Sequence, residues 1–240
     1  MIRNISFKLL GICFFVLAIG TVTGWLITED LAGERQGAAM LVVGGVISLL
    51  IFVTQLTLFL LAGKRIFVQL LFMASGIFSV AWFMFCLFVP LLWMDSIAVE
   101  VKLSMVPALV LLSGFNVVES FRRFNEKWDA QKESVRDEKL RRNGKLMDWD
   151  GLIRSMDLSV DIYIPGVPSR ICLVLSVLMV GFMLVGFFLK GIFPIFSAFA
   201  WGIPSALIVT LFFQVAGYHA AQACRVKLLE QKLNLKLEHR

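Results

Sequence analysis

Residues 121–170 are the one long polar run in a chain that otherwise strings apolar stretches of bilayer-crossing length between short turns. A hydrocarbon layer roughly 30 Å thick takes about 20 apolar residues to cross as a helix. An open sheet edge cannot cross it, because backbone N–H and C=O groups find no water there. Apolar runs of this length occupy residues 5–27, 38–62, 66–93, 103–121, 171–189 and 197–218. The expected fold is therefore all-α: a polytopic membrane protein with about six transmembrane helices and two cytosolic helical extensions. The chain is 59% hydrophobic, against roughly 45–50% for soluble domains, and that excess needs lipid to hide in.

The organisation reads as four parts. Residues 1–120 carry transmembrane helices one to four. Residues 121–170 form a cytosolic helical segment, 171–218 carry helices five and six, and 219–240 form a cytosolic amphipathic tail. The basic start and apolar run at the N-terminus resemble a signal peptide. The run is long for one and its cleavage pattern weak, so it reads as a retained first span. Gly20 and Gly24 make a GxxxG, the spacing of a close helix contact. The fourth span is the shortest: Asn116 and Glu119 enter where the apolar run is ending. A re-entrant or interfacial helix is the competing reading there.

Beyond this span the helical period continues. Val117, Phe121, Phe124 and Trp128 recur on one helix face. Asp137 with Arg141 and Glu138 with Arg142 are acid-before-base pairs four residues apart. Asn143-Gly144 is a stop signal. The spacing thus predicts a helical stalk to about Arg142, then a short helix over residues 147–157. Residues 159–164 alternate weakly and end in the turn Pro165-Gly166-Val167-Pro168. The tail is predicted to be helical, with Val226, Leu229, Leu233 and Leu237 in one stripe, Leu228 and Leu235 widening it, and five flanking bases. Two stripes leaving the membrane on one side must both be covered. The favoured arrangement pairs Phe121, Phe124 and Trp128 with Val226, Leu229 and Leu233 as an interaction surface. In the alternative, the basic tail lies on anionic lipid of the inner leaflet.

Orientation follows from charge. With the N-terminus in the cytoplasm, 20 of the 23 Lys and Arg residues fall inside. Arg35, Lys102 and Lys190 are the three outside. This positive-inside pattern places both termini in the cytoplasm and the chain in a cell (inner) membrane. It also accounts for the net charge of +6 without nucleic acid as a partner.

The spans hold almost no ionisable groups, which is where intramembrane chemistry announces itself. Glu119 can pair with Arg122 or Arg123 as an interface ion pair. Gln55, Gln69, Asn116 and Gln214 are uncharged; one or two of them are expected to hydrogen-bond between helices, and lining a solute path is the alternative. Cys13, Cys86, Cys172 and Cys224 share no short loop and read as small buried apolar side chains. His219 and His239 stand apart, without metal-ligand spacing. Asp148, Asp150, Asp157 and Asp161 read as solvated charges. No catalytic, metal or cofactor residues are expected. The expected role is non-enzymatic: protein–protein interaction, with a partner or a second copy, as component or accessory of a membrane complex. Secretion, conjugation and immunity systems use such proteins. The alternative is a channel or facilitator for a small solute, suggested by Pro90, Pro107 and Pro204 within the spans.

Overall fold

A computed structural model describes residues 7–131, 146–147, 149–156, 158 and 160–239. In chain order these form α1 (Phe7–Ala32), α2 (Glu34–Ala62), α3 (Ile66–Trp93), α4 (Val99–Ala130), β1 (Leu146–Met147), α5 (Trp149–Arg154), α6 (Ser169–Leu189), α7 (Pro194–Leu233) and β2 (Glu238–His239). Helices α1, α2, α3, α4 and α7 are each long and apolar enough to cross a membrane, and α6 contributes the apolar stretch Val177–Leu189. The chain is an all-α polytopic membrane protein, and its apolar helices contact lipid.

The centre of the bundle is α3. It packs on α1, α2 and α7, while α4 and α6 lie chiefly against α7. Buried polar side chains tie α3 to its neighbours at two depths. Thr21 and Ser48 hydroxyls meet at 2.7 Å, and Trp82 Nε1 donates to Thr21 Oγ1 at 3.2 Å. Nearer the α2–α3 turn, Gln55 Nε2 donates to the Ser75 carbonyl at 2.9 Å and to Ser79 Oγ at 2.6 Å. Where hydrocarbon surrounds the bundle, such bonds satisfy polar groups that lipid cannot.

The Gly20–Gly24 pair is a point of close approach. A Cβ on Gly20 would lie 2.9 Å from Phe83 Cα, and one on Gly24 would lie 2.7 Å from Met40 Cε. The loop expected between the first two spans is shorter than predicted. Helix α1 runs to Ala32, and α2 starts at Glu34 after a single residue, Gly33, with φ of +101°. That backbone region is open to glycine and strained for other residues, so the reversal needs one position instead of a loop.

Three further boundaries differ from expectation. The stalk helix ends at Ala130, where Gln131 turns to an extended conformation with its N–H on the Trp128 carbonyl at 3.3 Å. The expected continuation over residues 132–142 lies outside the described residues. The short helix covers only Trp149–Arg154. Helix α7 fuses the sixth span with the tail into 40 continuous residues, begun by Pro194 at its first position as proline prefers. The tail is not helical to its end. Asn234 takes a left-handed conformation with φ of 51°, the usual way a helix stops. The chain then doubles back, so Leu237 reaches the core from outside the stripe that was to contain it.

Candidate functional site: the junction of stalk, tail and central segment

One apolar cluster gathers residues from five parts of the chain. Ile66 and Leu70 come from the start of α3, Phe124 and Trp128 from the end of α4, and Trp149 and Leu152 from α5. Tyr218, Ala221 and Val226 of α7 and Leu237 of the returning tail complete it. Phe124, Trp149, Leu152 and Val226 are wholly inaccessible. The rings of Phe124 and Trp128 stand 6.0 Å apart, and those of Trp128 and Trp149 5.8 Å. Each such side chain contributes roughly 1.5–3 kcal/mol by burial, against about 0–1 kcal/mol for an exposed ion pair. Apolar packing therefore sets the arrangement.

Of the six residues singled out as an interaction surface, the junction collects five. Phe124, Trp128 and Val226 are buried in it, and Phe121 and Leu229 pack against its edge. Leu233 is left 42% exposed, because the chain reverses one residue later. Leu228 and Leu235 are also exposed. The stripes thus cover each other, with Trp149 and Leu237 as additional cover.

A polar girdle surrounds the cluster. Glu119 accepts from Arg122 Nη2 at 2.7 Å and from Arg123 Nε at 2.7 Å. Its side chain is only 6% exposed while that of Arg122 is 58% exposed. Arg123 continues to Asp161, so the Glu119–Arg123–Asp161 chain links α4 to the segment before α6. Asp161 is therefore ion-paired, not simply solvated; Asp148 and Asp157 lie outside the described residues. Arg225 Nε donates to Asn125 Oδ1 at 3.1 Å, and its guanidinium stands 5.9 Å from the centre of a Trp128 ring. Trp149 Nε1 donates to Gln222 Oε1 at 3.1 Å.

Of the four buried amides one joins two helices, within the one or two expected, and the other three bond to backbone outside the helices. Asn116 and Gln214 hold backbone of residues 161–163, a stretch that belongs to no helix or strand. Asn116 brackets Tyr163, accepting its N–H at 3.0 Å and donating to its carbonyl at 2.9 Å. Gln214 Oε1 accepts the Asp161 N–H at 3.2 Å. A segment outside helix and strand has no regular backbone partners, so side-chain amides complete its hydrogen bonding. Only Gln55 bridges two helices; Gln69 Nε2 caps the Gly63 carbonyl at 3.0 Å.

Cys13 and Cys86 are buried free thiols, while Cys224 is exposed, contrary to the expectation of burial. Cys224 follows Ala223 on the face of α7 turned away from the junction. The His219 side chain is partly buried on α7, and that of His239 lies outside the described residues. Among the described residues, no three His, Cys, Asp or Glu side chains gather as metal ligands.

A second feature lies deeper in the bundle. A cleft of about 700 Å³ opens between α2, α3, α4 and α7, walled by Phe78, Trp82, Phe85, Leu109, Val117, Phe213 and their neighbours. Ser113 and Gly114 form its small-residue wall on α4. Gln55, Gln69, Asn116 and Gln214 do not line it. Sequence spacing alone could not reveal Trp149, Gln222 or Asn125 as junction residues. The one available signal was the apolar group Leu146, Met147, Trp149, Leu152 and Ile153 inside the long polar run. No family model matches the chain, and neither a curated protein nor a solved structure matches it.

Proposed function

We propose that this chain is a non-enzymatic, multi-pass protein of the cell (inner) membrane that works by protein–protein interaction, as component or accessory of a membrane complex. The observation that carries the reading is the apolar cleft beside α4. Helix α4 is the least covered of the five long apolar helices, with 11% of its most apolar window buried. Its exposed Val110 and Val118 line a cleft that the chain's own side chains leave open. A Cβ on Gly114 would meet nothing within 4 Å. Small residues let a partner helix approach closely, so a transmembrane helix of another subunit fits this wall. The ionisable groups of the junction are engaged with one another, which favours binding over catalysis.

Cytoplasmic termini are supported by the arrangement of charge along the bundle. Lys190 pairs with Asp30 at 2.8 Å, so the α1–α2 and α6–α7 connections share one end. Arg65, Arg122, Arg123 and Arg225 all belong to the other end, the base-rich one. Anionic lipid of the inner leaflet is the membrane contact proposed for the basic tail. A polar solute path has little support, because the cleft walls are apolar and the buried amides bond elsewhere.

A photo-crosslinking amino acid placed at Val110, at Val118 and, as a control, at Leu184 on α6 tests the reading in intact membranes. One discrete protein adduct from the two cleft positions and none from Leu184 is the expected result. Lipid adducts alone at all three positions, together with solute flux in proteoliposomes, would overturn it in favour of a facilitator.

A further inference from the structure

We propose that the recess between the first turn of α3 and the last turns of α7 binds the phosphate-bearing headgroup of an anionic membrane lipid. The recess has a volume of about 370 Å³, and its lining includes Arg65, Phe67, Lys227, Glu230, Leu235 and Lys236. Three bases therefore face one acid. That acid is already engaged, because Glu230 Oε1 accepts the Leu237 N–H at 3.0 Å. Among the described residues, none of the three bases has a carboxylate within ion-pair distance, whereas Arg122, Arg123 and Arg225 all do. Lys227 Nζ stands 5.6 Å from the centre of the Phe67 ring, which keeps its charge over the recess wall.

The backbone adds to this charge. Ile66 N–H is taken by the Leu237 carbonyl at 3.2 Å, and the next intrahelical bond runs from Gln69 N–H to the Arg65 carbonyl at 3.1 Å. Between them lie Phe67 and Val68, whose N–H groups belong to the first turn, where an α-helix has no partners of its own to offer. Both residues line the recess. The positive end of the helix dipole thus points at the same volume as the three bases.

Depth selects a lipid over a soluble anion. Helix α3 has 28 residues, a length of about 42 Å. That exceeds a hydrocarbon core of roughly 30 Å and matches the roughly 40–45 Å span that includes the headgroups. Its first turn accordingly lies in the headgroup layer. Phe67 and Leu235 provide an apolar wall on which the start of an acyl chain can rest. Basic recesses between helices at this level suit phosphate headgroups. This deepens the proposed contact of the tail with anionic lipid and is independent of any protein partner.

The test uses the full chain purified in mild detergent, with native mass spectrometry and thermal unfolding as readouts. Phosphatidylglycerol is expected to stay bound at one or more molecules per chain and to raise the unfolding midpoint, and phosphatidylcholine to do neither. The triple variant R65Q/K227Q/K236Q should retain phosphatidylglycerol at least tenfold more weakly, and K227Q should weaken retention by a smaller factor. Lys232→Gln, on the same helix but outside the recess, should retain it like the wild type. Equal retention by a K227Q protein that remains monodisperse would overturn the proposal. So would a midpoint shift reproduced by inorganic phosphate, which would mark a site for soluble anions.

Discussion

Asn116 holds Tyr163 by both hands of its amide, Oδ1 accepting the backbone N–H at 3.0 Å and Nδ2 donating to the carbonyl at 2.9 Å. A side chain on a long apolar helix thereby stands in for a neighbouring β-strand. Replacing Asn116 by Leu leaves both backbone groups without partners, at about 1–3 kcal/mol for each unsatisfied buried group. The thermal midpoint in detergent should fall clearly, while Thr57→Ala, at an exposed hydroxyl bonded only within its own helix, should barely move it. Equal midpoints for the two variants would refute the bracket.

Trp128 links three elements, stacking on Phe124 and Trp149 and lying beneath Arg225. Removing a buried Trp side chain costs about 3–5 kcal/mol. Trp128→Ala should therefore release the tail and speed tryptic cleavage at Lys232 and Lys236. Unchanged cleavage, with protection lost only on removal of anionic lipid, would show that the membrane holds the tail and the stalk does not.

Gly20 faces the α3 backbone, with Phe83 Cα 2.9 Å from where its Cβ would be. Backbone atoms cannot rotate aside, so Gly20→Val should overpack the α1–α3 contact at about 1–3 kcal/mol. Gly11 lies on the same helix with nothing within 4 Å of a Cβ, and Gly11→Val is the matched control. A similar loss of midpoint in both would mean that helix strain, not packing, is measured.

Glu119 and Glu126 both pair with Arg122, but at different depths. The Glu119 side chain is 6% exposed and that of Glu126 61%. Glu126→Ala should cost about 0–1 kcal/mol and respond to salt. Glu119→Ala should cost several-fold more and respond little, because it strips Arg123 of its partner within α4. Comparable, salt-sensitive losses would place the Glu119 pair at the surface.

The proposed cytoplasmic placement of both termini makes a direct labelling prediction. In a background without native cysteines, an impermeant maleimide applied to intact cells should label Ser96→Cys, in the exposed α3–α4 turn, and spare Ser134→Cys. The reverse pattern would invert the whole topology.

The legible part of this protein was whatever depends on matching apolar length to a bilayer. Span three was readable to the residue, because the helix follows a charge-free run between Arg65 and Asp95 with Trp93 at its boundary. Phe124, Trp128 and Val226 were legible as stripe residues through the 3.6-residue period alone. Gly20 and Gly24 were legible as a spacing, though which helix they would face was not.

Other features depended on atoms distant in the chain. The period predicted that α4 would extend past Ala130, but the Gln131 turn there belongs with the docking of Trp149 onto Trp128, a contact 21 residues away. The tail stripe extrapolated smoothly through Leu237, yet Asn234 ends the helix and Leu237 returns to bond Ile66 and fill the junction. Asn116 and Gln214 were visible as polar groups in apolar runs, but hydropathy cannot say whether their partner is another helix or a stretch of backbone. The sequence by itself determined the membrane class and the helix content, because burial of apolar surface and backbone satisfaction in lipid are local properties of each run. Only the tertiary structure decided which stripes cover each other and which bases stay unpaired, because those outcomes follow from packing and hydrogen bonding between residues that the chain order keeps apart.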